Sequence, residues 1–106
     1  MWSVEVLEGA ATEEVQALPR EMKAKLLRIM EYIRTDGLAR LHEPYVKHIQ
    51  GKVWEIRLSG KSGIARSLYV TASGRRVIIV RTFVKKTEKT PRQEIELALR
   101  RAQGVL

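Results

Sequence analysis

Three apolar runs, residues 53–58, 64–70 and 77–83, follow one another with gaps too short to hold a helix, and glycine marks the gaps at Gly60, Gly63 and Gly74. Gaps of this length reverse the chain, and glycine adopts turn conformations that other residues resist, so the runs read as consecutive antiparallel strands. In the first run, Trp54, Ile56 and Leu58 share one side and Val53, Glu55 and Arg57 the other, because successive side chains alternate. Trp54 is therefore expected in the core and Arg57 pointing away from it. In the second run Arg66 falls on the side of Leu68 and Val70; either a bulge near residues 63–66 shifts the register, or Arg66 snorkels at a strand end. The third run, dense in Val77, Ile78, Ile79 and Val80, fits a central strand with Arg81 emerging near its end.

The flanks must cover this meander. Residues 2–7 alternate as a half-buried strand ending at Gly9. Thr12 ahead of Glu13 and Glu14 reads as the N-cap of a short helix stopping near Pro19. Residues 20–36 are the strongest helix: Met22, Leu26, Ile29, Met30 and Ile33 recur at steps of three and four, and Gly37 caps the end. Lys23, Lys25, Arg28, Glu31 and Arg34 then form a solvated helix face. Residues 38–51 have no sustained period and read as an irregular connection. Thr90, Pro91 and Gln93 form a capping box that opens a last helix striped by Ile95, Ala98, Leu99 and Ala102.

Strand, helix, helix, three-strand antiparallel meander, helix make one α+β domain over residues 1–106, with the helices mainly on one face of the sheet. The opposite face is expected to be open and basic. Residues 47–92 carry twelve Lys or Arg against Glu55 and Glu88, a balance of +10, whereas the rest of the chain balances at −2. Cations gathered on one half favour a polyanionic partner, because each one set against a phosphate releases counterions.

The chain has no cysteine, which removes disulfides, thiolate zinc sites and cysteine nucleophiles and suits a cytoplasmic setting. No run approaches the roughly 20 apolar residues that span a bilayer, so no membrane association is expected. His42 and His48 lack the helical i, i+4 spacing and a third ligand, so neither a metal nor another cofactor is expected.

Three segments, Val53-Trp54-Glu55-Ile56-Arg57, Gly63-Ile64-Ala65-Arg66-Ser67-Leu68-Tyr69 and Phe83-Val84-Lys85-Lys86-Thr87-Glu88-Lys89-Thr90-Pro91, together resemble the HigB-like, phage-derived branch of the RelE toxin superfamily. The resemblance implies a RelE-like fold and the toxin of a bacterial toxin–antitoxin pair, one that enters the ribosomal A site and cleaves messenger RNA there. It implies a cognate antitoxin, a helix-turn-helix protein, as partner. Carried over residue by residue, Arg57, Arg66, Lys85 and Lys86 match the family's catalytic cations. Attack of a ribose 2′-hydroxyl on the adjacent phosphate builds charge that such groups stabilise. Lys52, Tyr69, Arg75, Arg76, Arg81, Lys89 and Arg92 are further candidates for RNA contact.

Many relatives carry a Tyr or His near the start of the final helix, where this chain has Pro91, Arg92 and Gln93. The general acid and base are therefore unassigned. Glu43 stands near where some relatives hold a catalytic glutamate, Glu55 matches a position that is basic in some relatives, and His42, His48 and Tyr69 are further candidates. The alternative reading is a non-catalytic module of the same fold that binds ribosomal RNA or inhibits a protein target such as gyrase.

Overall fold

The glycine-punctuated runs pair as neighbours in the computed structural model, which describes residues 1–41, 45–85 and 89–106. The strands β1 (Ser3–Val6), β2 (Val46–Gln50), β3 (Val53–Gly60), β4 (Gly63–Ala72) and β5 (Arg76–Lys85) form one sheet in the order β1-β5-β4-β3-β2. β2 to β5 run antiparallel in sequence, and β1 closes the far edge parallel to β5. The helices are α1 (Ala10–Gln16), α2 (Arg20–Asp36) and α3 (Arg92–Ala102), with a 3-10 turn at Leu38–Arg40.

The α2 stripe behaves as its spacing requires. Met22, Leu26, Met30 and Ile33 are buried against Ile56, Leu58, Ala65, Tyr69 and Ile79, and Val15 and Leu18 join them from the α1 side. Gly37 ends the helix at φ 88°, its amide donating to Ile33 O at 2.9 Å, and a Cβ there would stand 3.3 Å from the Trp2 ring. Both the left-handed backbone and the close indole require glycine.

Several details differ from the sequence reading. Residues 38–51 contain β2, whose burial is confined mainly to Val46. Its polar Lys47, His48 and Gln50 hide the alternation, and pairing with β3 supplies the order instead. Trp54 is 39% exposed, at the rim beside Leu41 and Val46 rather than in the core. Thr12 does not cap α1: the helix begins at Ala10, and the Thr12 hydroxyl donates back to Leu7 O at 2.9 Å.

The second face of the sheet is not left open. α3 packs there through Ala98 and Ala102 against Val53, Leu68, Val70, Ile78 and Val80. α1 and α2 thus share one face and α3 takes part of the other, leaving uncovered mainly the end of that face near the β3–β4 turn. The β3–β4 register is unbroken from Gly60↔Gly63 to Trp54↔Tyr69, so no bulge displaces Arg66. The irregularity is in β5: Leu68 pairs with Arg81 and Tyr69 with Ile79, making Val80 the extra residue. Arg81 is thereby turned toward the α3 side.

Candidate functional site

Residues opposite each other across a ladder share a face. On the α3 side this gives three rows: Lys47, Glu55, Leu68 and Arg81; then Arg57, Arg66 and Phe83; then Ser59, Ile64 and Lys85. The first row runs under α3, and the second and third lie beyond its end.

Glu55 organises the middle of this surface. It is 1% exposed, and its Oε1 lies 3.1 Å from Arg66 Nε and accepts a hydrogen bond from Thr90 Oγ1 at 2.9 Å. Oε2 lies 4.0 Å from Arg57 Nε. A charge this deep is stable only with ionic partners and hydrogen bonds. This is why Arg66 does not snorkel: at 3% exposure its guanidinium is held inside the sheet by the carboxylate diagonal to it on β3, and Nη1 donates to Ala65 O at 3.1 Å. It also explains why Thr90 does not cap α3: its hydroxyl serves the Glu55 carboxylate, a stronger acceptor than a backbone amide is a donor, and Pro91 stands at the N-cap position without a side-chain bond.

Arg57 differs from its neighbour in distance and exposure. Its enclosed Nε lies 4.0 Å from Glu55, at ion-pair range only, against 3.1 Å for Arg66 Nε, and its side chain is 31% exposed against 4%. A guanidinium so placed can donate to an added anion. Arg57 also divides two clefts. One, of about 440 Å³, is walled by Lys25, Ile29, Tyr45, Leu58, Ile64 and Arg66. The other, of about 220 Å³, lies toward α3 among Lys47, His48, Glu55, Lys89, Thr90 and Ile95. The β3–β4 turn that ends the larger cleft is pinned to α2 by Glu21, whose carboxylate accepts from the Ser62 amide at 2.8 Å and is held below the usual carboxylate range by the Ser62 hydroxyl and amide.

The expected site residues divide sharply. Arg57, Arg66 and Lys85 come together: Lys85 is buried at the end of β5, one row beyond Arg66 and opposite Ile64. Lys89 lines the smaller cleft. Arg92 is exposed and pairs with Glu96 at 3.3 Å on its own helix. Lys52, Arg75 and Arg76 sit at the opposite end of the strands; Arg66 to Ala72 alone is six residues, about 20 Å at roughly 3.3 Å each. Arg76 is moreover paired with Glu5 at 2.8 Å.

Arg81 and Tyr69 are corrected by their surroundings. The Arg81 Nε and Nη2 donate to Glu94 at 2.8 and 3.0 Å and Nη1 lies 2.6 Å from Glu14, so its charge is neutralised within the fold. Bonding to Glu94, partly opposed by burial and reinforced by Glu14, keeps its pKa above the ordinary arginine value. Tyr69 is 1% exposed on the α2 side, where burial pushes its hydroxyl up to about 12; it can neither stack on a base nor move a proton near neutrality. His48 Nε2 lies 2.7 Å from Gly51 O, and the ring packs on Trp54 with centroids 5.0 Å apart. His42, Glu43 and Lys86 lie outside the described residues.

Sequence reasoning missed Lys25, Tyr45, Lys47 and Thr90. Lys25, read as part of a solvated face, donates its ammonium to Ser59 O at the exposed edge of β3. Lys47 becomes visible only once β2 is recognised, because pairing sets it opposite Glu55.

The fold is RelE-like. It matches a chain of the crystal structure of the archaeal RelE–RelB complex from Pyrococcus horikoshii OT3 with a TM-score of 0.58 and 16% identity, covering 80% of this chain and 96% of that one. Residues 13–103 match the model of the family described as phage derived protein Gp49-like (DUF891), and the chain belongs to that family. No curated protein sequence matches it. Among the described residues no helix is long and apolar enough to cross a membrane.

Proposed function

We propose that this chain is the toxin of a bacterial toxin–antitoxin pair, of HigB-like type, and that it acts in the cytoplasm as a ribosome-dependent endoribonuclease on messenger RNA. The observation that carries this reading is the Arg57–Arg66 pair, set by one buried carboxylate at the mouth of a cleft large enough for a nucleotide. The RelE-like fold and the Gp49-like family support it.

The 2′-oxygen of one nucleotide attacks the adjacent phosphorus and the 5′-oxygen of the next departs. The 2′-hydroxyl loses its proton to a base, and the leaving oxygen takes one up. Negative charge grows on the phosphoryl oxygens in between, and preorganised guanidinium groups stabilise it without reorganising. Arg57, farther from Glu55 and more exposed, receives the phosphate, while Arg66, held by Glu55, keeps its position as that charge forms. Lys85 adds a further cation one row away, and Lys86 follows it in sequence. Glu55 orients the arginines but is too deeply enclosed to exchange protons with substrate, which leaves Glu43 as a carboxylate candidate for the base.

The described wall of the larger cleft carries no carboxylate and no histidine, the exposed His48 lining only the smaller one; this favours the second reading, a basic module that binds ribosomal RNA or inhibits a protein such as gyrase. The partners of the first reading are the ribosome with its messenger and a small helix-turn-helix antitoxin; the similar archaeal structure is itself a complex of RelE with RelB. Expression in bacteria with mapping of messenger 5′ ends separates the two readings. New ends inside translated codons, lost on Arg57→Ala, are expected; growth arrest without new ends would exclude the nuclease.

A further inference from the structure

We propose that Tyr45 is the base-stacking platform of the larger cleft, and that a nucleobase lies on its ring while the phosphate of the same strand is held by Arg57. The proposal rests on the reading of this surface as an RNA site and adds a contact residue to it. Tyr45 is 57% exposed. A single exposed tyrosine is ordinary on any protein surface; its attachment is not. Its backbone carbonyl accepts the Arg57 amide at 2.8 Å, immediately beyond the Val46↔Ile56 pair, so the two residues stand across from each other at the end of the β2–β3 ladder. Cross-strand neighbours of this kind hold their Cβ atoms about 5 Å apart. A ring face and a guanidinium fork are thus presented together at one mouth.

The cleft behind them has the composition that a nucleotide requires. Ile29, Leu58 and Ile64 give it apolar walls, and Lys25, Arg57 and Arg66 give it a cationic rim. Every base offers a π-face, so stacking on an aromatic ring beside a phosphate-binding cation is the general solution for single-stranded RNA. Among the other described aromatic residues, Tyr69 is buried, Trp54 packs with His48 and lines with Trp2 an apolar groove on the other side of β2, Phe83 lies under the Arg81 guanidinium at 5.6 Å, and Tyr32 on α2 is not part of this cleft's wall. Among the described residues, Tyr45 makes no side-chain hydrogen bond or ring contact that would hold it to another task.

The test uses the full chain and a fluorescently labelled single-stranded RNA of six to eight nucleotides, with abasic versions lacking one base at each position in turn. Affinity is read by anisotropy, and folding by thermal melting. Tyr45→Phe is expected to bind within about twofold of the unchanged chain, and Tyr45→Leu to bind about tenfold or more weakly with the same melting temperature. At one abasic position that loss should vanish, because the stacking partner is already gone. Equal binding by Tyr45→Leu, an undiminished loss on every abasic RNA, or no binding of RNA by the unchanged chain would overturn the proposal. Cleavage is scored separately in translating ribosomes. Tyr45-dependent binding without any cleavage leaves stacking standing and removes the nuclease reading. Cleavage lost on Arg57→Ala but untouched in rate and affinity by Tyr45→Leu does the reverse.

Discussion

Two clusters of arginine and glutamate lie on this one sheet, and they are built to opposite ends. At the β5 edge, Glu14 and Glu94 meet Arg81 and Arg101 with contacts between 2.6 and 3.0 Å, and Glu14 also accepts the Thr82 amide at 3.1 Å. Two carboxylates answer two guanidiniums. The Thr82 amide lies past the end of β1, where no strand would otherwise receive it, so the cluster joins α1, β5 and α3 and closes an open sheet edge. At the β3–β4 end, one carboxylate faces two guanidiniums, one at 3.1 Å and the other at 4.0 Å, beside two clefts. The first cluster is saturated and serves stability. The second leaves Arg57 farther from the shared carboxylate and more exposed than Arg66, as the proposed anion site requires.

Substitutions should separate these roles, and the largest effect is expected where both meet. Arg66→Ala removes the nearest cation from the buried Glu55 and should cost about 3–5 kcal/mol of stability, visible as a lower denaturation midpoint, together with loss of cleavage. Pairing it with Glu55→Gln should recover much of the stability and none of the activity; recovery of both would place the function elsewhere. Arg57→Ala is expected to lower cleavage by about 100-fold, the scale of one lost transition-state donor, while melting changes little.

Glu14→Gln should do the opposite, lowering stability by about 2 kcal/mol with cleavage and RNA binding unchanged, since its charge-assisted bonds serve only the fold. Burial alone would raise the Glu14 carboxyl, but bonds from Arg101, the Thr82 amide and Arg81 together hold it below the usual range. A group whose pKa is depressed on folding contributes stability above its unfolded pKa and loses it as pH falls through the folded value. The unchanged chain should therefore lose stability across the acid range more steeply than Glu14→Gln, and parallel pH profiles would show the cluster to be inert. The smallest effect is expected for Thr90→Val, about 1 kcal/mol from one lost hydroxyl bond to Glu55. A shift in cleavage larger than this would mean that Thr90 also sets the arginine geometry.

Much of the frame was readable locally. The meander, the bounds of α2 and the glycine that ends it follow from periodicity and backbone conformation, which act over a few residues. β2 was missed because its order comes from a partner strand, and Thr12 and Thr90 were misread because a nearby helix start is only one possible use of a hydroxyl. Among the candidate cations, charge density pointed to the sheet half of the chain but could not separate Arg57 from Arg81. Both are arginines on apolar strands, and only their carboxylate neighbours distinguish them.

The sequence by itself determined an α+β domain with its positive charge concentrated in the sheet half, because hydrophobic spacing and composition are properties of the chain before it folds. The tertiary structure decided which charges remain available. Glu14 reaches Arg101 across 87 positions and Glu55 reaches Thr90 across 35. Pairings so distant depend on strand register, on the bulge at Val80 and on the face that α3 covers. The strength of an ion pair falls with separation and solvent exposure, and both are set only when the sheet and helices have packed.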